Sequence, residues 1–239
     1  MDEIVLDKLG LELAGRAVLS DISLRLSEGR VGIVGRNGSG KTSLLRVMAG
    51  LVQASTGRVS VNGRDPWVDR KAMLRAIGIL FQNPDHQILF PTVAEELAFG
   101  LMQIGLAREE AAARVSAVLA AEGRGHWAGA PTHTLSQGQK QYLCLMAVLA
   151  MEPEWLLLDE PFASLDLPSE LRLRRRLAGL AQHVVVISHD PDAVAEMDRV
   201  IWIEAGRIRA DGTPGAVLPK FRDEMARLGA ADADTDLSA

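Results

Sequence analysis

Gly35-Arg36-Asn37-Gly38-Ser39-Gly40-Lys41-Thr42 decides how this chain is read. The stretch satisfies the phosphate-cradling pattern G-x-x-x-x-G-K-[ST] in full. Its context fits as well. The apolar run Val31-Gly32-Ile33-Val34 precedes it and reads as a buried parallel strand. A helical stretch from Ser43 to Ala49 follows and stops at Gly50, a residue suited to a C-terminal cap. Strand, glycine loop and helix together aim backbone N–H groups at an anion, and the helix start adds roughly half a positive charge there. Lys41 reaches the outer phosphates of a nucleotide, and the Thr42 hydroxyl offers a ligand to Mg²⁺. A turn that merely joined strand to helix has no need of Lys-Thr at its end.

The chain has 239 residues, which suits one large domain or one domain with an inserted lobe. Hydrophobic residues make up 48%, enough for a sizeable core. A net charge of −5 disfavours a general nucleic-acid binder, since such proteins present a basic face. The local run Arg172, Arg174, Arg175 and Arg176 alternates with Leu171, Leu173 and Leu177. It reads as the solvated face of a helix, with contact to a partner or lipid head groups as its other use. The single cysteine, Cys144, rules out a disulfide framework and reads as a small core residue in the helix from Tyr142 to Met151. Met1-Asp2-Glu3 lacks a signal-peptide charge pattern, and no run of about 18 apolar residues is present. These features point to a cytoplasmic chain whose membrane role, if any, comes through a partner.

Residues 3–28 read as short strands around the turn Ala14-Gly15-Arg16, in an antiparallel sheet at one edge. Arg58-Val59-Ser60-Val61 runs into Asn62-Gly63, a hairpin signal. Ile77 to Gln82 is a further strand. From Pro84 to about Glu152 the texture turns helical, with stretches Val93 to Gly100, Arg108 to Glu122 and Gly138 to Met151. This reads as a mostly α lobe set into an α/β core. Trp155-Leu156-Leu157-Leu158 and Val184-Val185-Val186-Ile187 are apolar runs of central parallel strands. Val200–Ile203 and Ala205–Ile208 read as a last hairpin, and the Ala- and Asp-rich stretch beyond about Leu228 as a mobile tail.

The strand from Trp155 to Leu158 ends in Asp159-Glu160. A carboxylate at a strand end beside a phosphate loop suits Mg²⁺, and the next one lies where it can polarise an attacking water as general base. The guanine-reading pattern Asn/Thr-Lys-x-Asp is missing from the sequence, which favours ATP over GTP. Leu135-Ser136-Gln137-Gly138-Gln139 adds a second anion-binding helix start, far from the first in sequence. Ser136 suits the cap, and Gly138 lets a phosphate approach the backbone.

At this point the chain resembles the ATP-binding-cassette (ABC) ATPases, whose signature reads Leu-Ser-Gly-Gly-Gln. The resemblance runs from about residue 3 to 215 in the family's order: phosphate loop, Gln82 after a strand, signature, Asp159-Glu160, Ser164-Leu165-Asp166, and His189 after Val184–Ser188. It implies one ABC ATPase domain over residues 1–239. A P-loop NTPase (RecA-like) core with an antiparallel β edge subdomain would span 1–83 and 153–215. An inserted α-helical subdomain would span 84–152, and a short tail 216–239. Two cassettes of the family pack head to tail around two ATP molecules. By resemblance, Gly35, Arg36, Asn37, Gly38, Ser39, Gly40, Lys41, Thr42 and Ser43 bind the triphosphate, with Leu13 near the base. Ser136, Gln137, Gly138 and Gln139 face the nucleotide of the opposite copy, and Asp166 lines the seam. Thr42, Gln82 and Asp159 would hold Mg²⁺. Glu160 would activate water, His189 would steady Glu160 and contact the γ-phosphate, and Gln82 would report on both to a transport partner.

Three departures stand out. Gln137 occupies a usual glycine position, Tyr142 stands where many members carry arginine, and Leu11-Glu12-Leu13-Ala14-Gly15 lacks the adenine-stacking aromatic. Phe81–Phe90 followed by Pro91–Gly100, with Gln139-Lys140-Gln141 and Val148–Pro153, resembles the energy-coupling-factor (ECF) ATPases, bacterial cassettes that power micronutrient uptake. The wording Pro161-Phe162-Ala163-Ser164-Leu165-Asp166 and the short C-terminal part resemble biotin-uptake members first and cobalt-uptake members second. The resemblance implies a second ATPase copy or a different cassette, a transmembrane scaffold protein received by a groove in 82–100, and a substrate-capturing membrane protein. It places the chain at the cytoplasmic face of a bacterial inner membrane, with no nucleic-acid partner. Two other classes compete. A soluble cassette acting on ribosomes or DNA is usually built from paired cassettes or a long inserted coiled coil. A non-hydrolysing ATP-dependent module would not need Glu160 and His189.

Overall fold

The computed structural model describes residues 2–230. In chain order its elements are β1 (Ile4–Leu13), β2 (Arg16–Leu26), β3 (Arg30–Val34), α1 (Lys41–Met48), β4 (Thr56–Val61), α2 (Arg70–Ala76) and β5 (Ile77–Leu80). The helical stretch follows, with α3 (Val93–Gln103), α4 (Arg108–Ala121) and α5 (Gln137–Ala150). The chain then returns through β6 (Trp155–Asp159), α6 (Leu167–Ala178), β7 (His183–Ser188), β8 (Arg199–Glu204), β9 (Arg207–Gly212) and α7 (Pro214–Ala230). Among the described residues no helix is long and apolar enough to cross a membrane.

Two sheets form. β2, β1 and β4 make a small antiparallel sheet, in that order. The larger sheet runs β5-β6-β7-β3-β8-β9 and is parallel except at β9, which returns antiparallel beside β8. Side chains alternate across a strand, so the central runs serve two cores. Val31, Ile33, Leu157, Val185 and Ile187 pack towards α1 and the small sheet. Val34, Leu156, Leu158, Val184 and Val186 pack on the opposite side against α5, α6 and α7. A third core joins α3, α4 and α5 through Val93, Leu97, Val115, Leu119, Leu143 and Met146. Helix α5 therefore belongs to two cores, with Cys144 and Leu145 on the sheet and Leu143 and Met146 in the helical lobe.

Several expectations need correction. The first helix begins at Lys41, within the phosphate loop itself, and ends at Met48. Asn62 and Gly63 do make a left-handed turn, but the return is a single bridge, Val61 to Arg64. Asp65 then accepts from the backbone N–H groups of Trp67 and Val68 and diverts the chain, so β4 pairs with β1 instead of a hairpin partner. Helix α2, capped by Asp69, was not foreseen from the sequence. Residues 216–230 of the expected tail lie in α7, which buries Val217, Leu218 and Phe221, so that stretch is neither short of structure nor free. The remainder of the tail, 231–239, lies outside the described residues. The basic run does form a solvated face of α6, with Arg172 and Arg175 exposed and Arg174 and Arg176 half-buried. Arg174 pairs with Glu170, Arg176 with Glu122, and Arg172 donates to Ser169. Cys144 is fully buried, and burial pushes its thiol pKa up.

Gly50 ends the first helix at φ 68, and a Cβ there would lie 2.2 Å from the Pro66 carbonyl oxygen. A side chain would meet backbone as well as a left-handed conformation, which by itself costs about 1–3 kcal/mol. Gly50→Ala is expected to lower the urea midpoint accordingly. An unchanged midpoint would contradict this packing.

Candidate nucleotide site

Three strands that are neighbours in the sheet, β6, β7 and β3, end on the same side and deliver the site residues. From β3 the chain enters the glycine loop, where Gly38 and Gly40 take φ values of 77 and 103. Lys41 is buried, and its Nζ donates to the carbonyl oxygens of Gly35 and Arg36 at 2.8 and 2.9 Å. Burial lowers its pKa, opposed by the carboxylates of Glu160, Asp159 and Glu204. The ammonium thus rests on loop carbonyls, groups that a phosphate oxygen can replace with a stronger charge-assisted bond.

From β6 come Asp159 and Glu160. The Thr42 hydroxyl donates to Asp159 Oδ1 at 3.1 Å. Burial raises the Asp159 pKa and the Thr42 contact partly offsets it. Glu160 takes φ 48, an uncommon left-handed conformation for a side-chain-bearing residue. That turn aims its carboxylate back at the end of β7. Ser188 Oγ donates to Oε2 at 2.9 Å, and the His189 backbone N–H donates to Oε1 at 2.8 Å. His189 Nδ1 lies 2.9 Å from the same Oε1. An ionised carboxylate only accepts, so this contact assigns the proton to Nδ1.

Asn37, Gly38, Gly40, Lys41, Thr42, Ser43, Gln82, Glu160 and His189 surround one cavity of about 340 Å³, with Val18 as its apolar wall. Gly35 and Ser39 are buried in the loop beneath, and Arg36 is exposed. Thr42, Gln82 and Asp159 continue into a larger cleft of about 660 Å³, where they meet Gln137. Ser136, Gly138, Gln139 and Asp166 are elsewhere, around a hollow shared with Ser169 and Arg172. Ser136 caps α5 through a reciprocal pair with Gln139, as the cap reading expected. Gly138 has a use that the sequence did not reveal, because a Cβ there would lie 2.4 Å from Ser169 Oγ and force α5 off α6. Leu13, at the end of β1, is 44% exposed and outside the residues that line the phosphate cavity.

Sequence reading missed Ser188 and Val18. Ser188 was in view as the residue before His189, but a serine at a strand end carries no signal of its contact to Glu160. Tyr142, at the position where arginine was noted as usual, donates to Glu122, and the Arg124 guanidinium stacks on its ring at 4.2 Å. A guanidinium therefore does reach this region, from another part of the chain.

The donor set suits Mg²⁺. Thr42 and Asp159 offer hard oxygen ligands in mutual contact, and Mg²⁺ is commonly held by one or two carboxylates plus substrate phosphates. Among the described residues no group of three or more His, Cys, Asp or Glu forms an all-protein metal cage.

Because the Asp159 pKa is raised, its ionised form is the one that folding penalises. The penalty is fully present above the folded pKa and absent below the ordinary carboxylate value of about 4. Asp159→Asn should therefore raise the thermal midpoint of the nucleotide-free chain at pH 7–8, with the gain fading below about pH 4. A variant less stable than the parent at pH 7.5 would contradict this.

The family model described as ABC transporter matches residues 19–163. The biotin transport ATP-binding protein BioM of Rhodobacter capsulatus is 55% identical over 98% of this chain and 100% of its own length. The energy-coupling factor transporter ATP-binding protein EcfA of Methanocaldococcus jannaschii is 36% identical over 85% of this chain and 76% of its own. Among solved structures, cbiO1 from Clostridium perfringens, part of the ABC transporter complex cbiONQ, superposes with a TM-score of 0.79 at 30% identity, over 96% of each chain. A strand-end phosphate loop, the Asp159-Glu160 pair and a chain-wide likeness to transporter subunits agree, and the chain belongs to the ABC transporter family as one of its ATPases.

Proposed function

We propose that two copies of this chain, packed head to tail, hydrolyse Mg²⁺-bound ATP and so energise an ECF-type importer of a micronutrient, with biotin as first substrate and cobalt as second. One observation carries the paired arrangement. Ser136, Gly138 and Asp166 line a hollow of their own, apart from the cavity of Lys41, Glu160 and His189. Gln137 alone of the signature reaches the cleft of Thr42, Gln82 and Asp159, while Ser136 and Gly138 stay apart from the phosphate cavity within one chain and can meet it across two copies related by a twofold axis.

On this reading the residues divide the chemistry as follows. Lys41 leaves the carbonyls of Gly35 and Arg36 for the outer phosphate oxygens, and the N–H groups of residues 38–43 cradle them. Thr42 and Asp159, with Gln82 beside them, would hold Mg²⁺, which would supply neutralisation of the charge on the phosphates. Glu160, fixed by Ser188 and His189, orients a water and accepts its proton. Ser136 and the start of α5 from the second copy add donors to the γ-phosphate. Phosphoryl transfer depends on alignment and charge neutralisation, so an incomplete set of donors leaves ATP bound and intact.

The transport reading is supported by chain-wide identity to BioM and likeness to EcfA. The segment from Gln82 to Gly100 has features that suit a partner helix. Leu89 is 68% exposed, while Phe90 packs against Phe99 in a tilted pair with ring centroids 5.0 Å apart. Glu96 is buried and accepts from the backbone N–H groups of Leu89 and Phe90 at 2.9 Å each, which holds the segment in shape. Ile88 instead packs inward, against two cores. An apolar side chain on a fixed rim is what a helix-in-groove contact uses. The partner in that groove is a transmembrane scaffold, which carries a substrate-capturing membrane protein and holds the ATPase at the cytoplasmic face of the bacterial inner membrane.

Glu160→Gln should keep ATP affinity while kcat falls about 10²–10⁴-fold, the usual worth of a general base. Light scattering should then find an ATP-dependent dimer of the variant. Normal turnover would remove the base assignment. For the transport reading, the tagged chain should co-purify from source membranes with multi-spanning proteins, and vesicles containing them should accumulate labelled biotin only with ATP inside. Cobalt accumulation without biotin would replace the first substrate by the second. Bound ribosomal RNA or DNA in place of membrane protein would overturn the transport reading.

A further inference from the structure

The signature helix is tied to the hydrolytic centre of its own chain. Gln137, Lys140 and Gln141 stand at positions i, i+3 and i+4 of α5 and share one face. Lys140 Nζ donates to Asp85 Oδ1 at 2.6 Å, and Gln137 Nε2 donates to Asp85 Oδ2 at 3.0 Å. Both carboxylate oxygens of Asp85 are thus held by α5. These two bonds keep its carboxyl below the usual range. Asp85 lies three residues after Gln82, and the loop between them is itself fixed. The Phe81 N–H donates to the Gln87 side chain, which donates back to Ile79 in β5, each at 3.1 Å.

Gln141 makes the second tie, deeper in. It is 2% exposed. Its Nε2 lies 3.4 Å from the carbonyl oxygens of both Phe81 and Pro161, at the long end of hydrogen bonding. Phe81 precedes Gln82, and Pro161 follows Glu160. The other amide atom, Oε1, is buried with no partner. The residue lines the cleft that also holds Thr42, Gln82 and Asp159. Buried amide oxygens are rarely left without a donor, so the unpartnered Oε1 in this cleft is a group still able to accept one. Gln141 thus bridges α5 to the residues that flank Gln82 and Glu160. Helix α5 has 14 residues and is packed in two cores, so it moves as a rigid element.

We propose that Asp85 and Gln141 are positioning residues that link the signature to Gln82 and Glu160 of the same chain. A nucleotide held by the partner copy and gripped at Ser136 then draws this chain's own hydrolytic groups into line. The proposal rests on the head-to-tail reading above. Coupling of this kind is reciprocal in binding free energy, so it makes the two nucleotide sites of a dimer cooperative. Gln137 contributes because it is not glycine. Its side chain supplies a bond to Asp85 that a glycine at this signature position lacks.

The test uses the full chain, with ATP hydrolysis measured against ATP concentration. Affinity for a non-hydrolysable ATP analogue is measured separately at protein concentrations too low for dimers. The variants are Asp85→Ala, Gln141→Leu, and the charge swap Asp85→Lys with Lys140→Asp. In the parent the Hill coefficient should approach two, the limit set by two sites. In Asp85→Ala and Gln141→Leu it should fall towards one, and kcat should fall about 10–100-fold, as for a small misplacement of catalytic groups. Analogue affinity and thermal midpoint should stay close to the parent's. The charge swap should recover cooperativity.

Parent-like Hill coefficient and kcat in both single variants would overturn the proposal. So would a loss of analogue affinity with cooperativity intact, since that signals general damage. A parent chain that is fully active with a Hill coefficient of one would overturn the head-to-tail reading, and this proposal with it. Cooperative parent and unaltered variants would overturn the proposal alone.

Discussion

A buried ammonium beside two carboxylates is the constraint on which the rest of this structure depends. Lys41 sits on loop carbonyls, opposite Asp159 and Glu160. Burial disfavours its charge, the two carboxylates offset part of that, and an anion brought to the same spot would offset more. Groups of this kind need fixed positions, because Coulomb energy in a poorly hydrated site changes steeply with distance. The parallel sheet supplies the fixity. β6, β7 and β3 lie side by side, and their ends place Asp159-Glu160, Ser188-His189 and the glycine loop together. Ligand sites at the carboxyl ends of parallel strands follow from this geometry. The left-handed backbone at Glu160 is a local cost that aims its carboxylate at Ser188 and His189.

The signature residues are carried by a different part of the molecule, on α5. Ser136 caps α5, which shares its core partly with α3 and α4 and partly with the sheet. Gly138 lets α5 approach α6, so the signature is packed from behind as well as exposed in front. This division gives the dimer reading its chemical sense. If ATP alone completes the set, then binding closes two copies and hydrolysis releases them, a cycle that a membrane partner can follow. The face of α5 that bears Gln137, Lys140 and Gln141 contacts Asp85, Phe81 and Pro161, and on the proposal above it is the route by which one half of the set informs the other.

Much of this was legible in the sequence, for physical reasons. The central strands are unbroken apolar runs because both sheet faces are covered, and the glycine loop needs its residues at fixed spacing. Helices α3, α4 and α5 carry long helical patterns. The failures also have reasons. Helix α2 is 7 residues long and too short to show periodicity. Helix α7 contains Pro219, and Pro214 and Gly215 open it, so local signals argued against what the burial of Val217, Leu218 and Phe221 achieves. The Asn62-Gly63 turn formed as its residues require, but β1 offered the better strand partner. In the site, the motif residues were visible while their supports were not. Ser188 and Gln141 act through contacts made far away in sequence, and no spacing rule announces them.

The split site can be tested by mixing two inactive chains. Lys41→Ala keeps the signature and loses the phosphate loop, while Ser136→Arg keeps the loop and blocks the signature. Each alone should be inactive. If every reaction centre takes its loop from one copy and its signature from the other, mixed dimers contain one intact centre, and ATP turnover should reappear on mixing. A mixture no more active than its components, or a Ser136→Arg chain active by itself, would contradict the account.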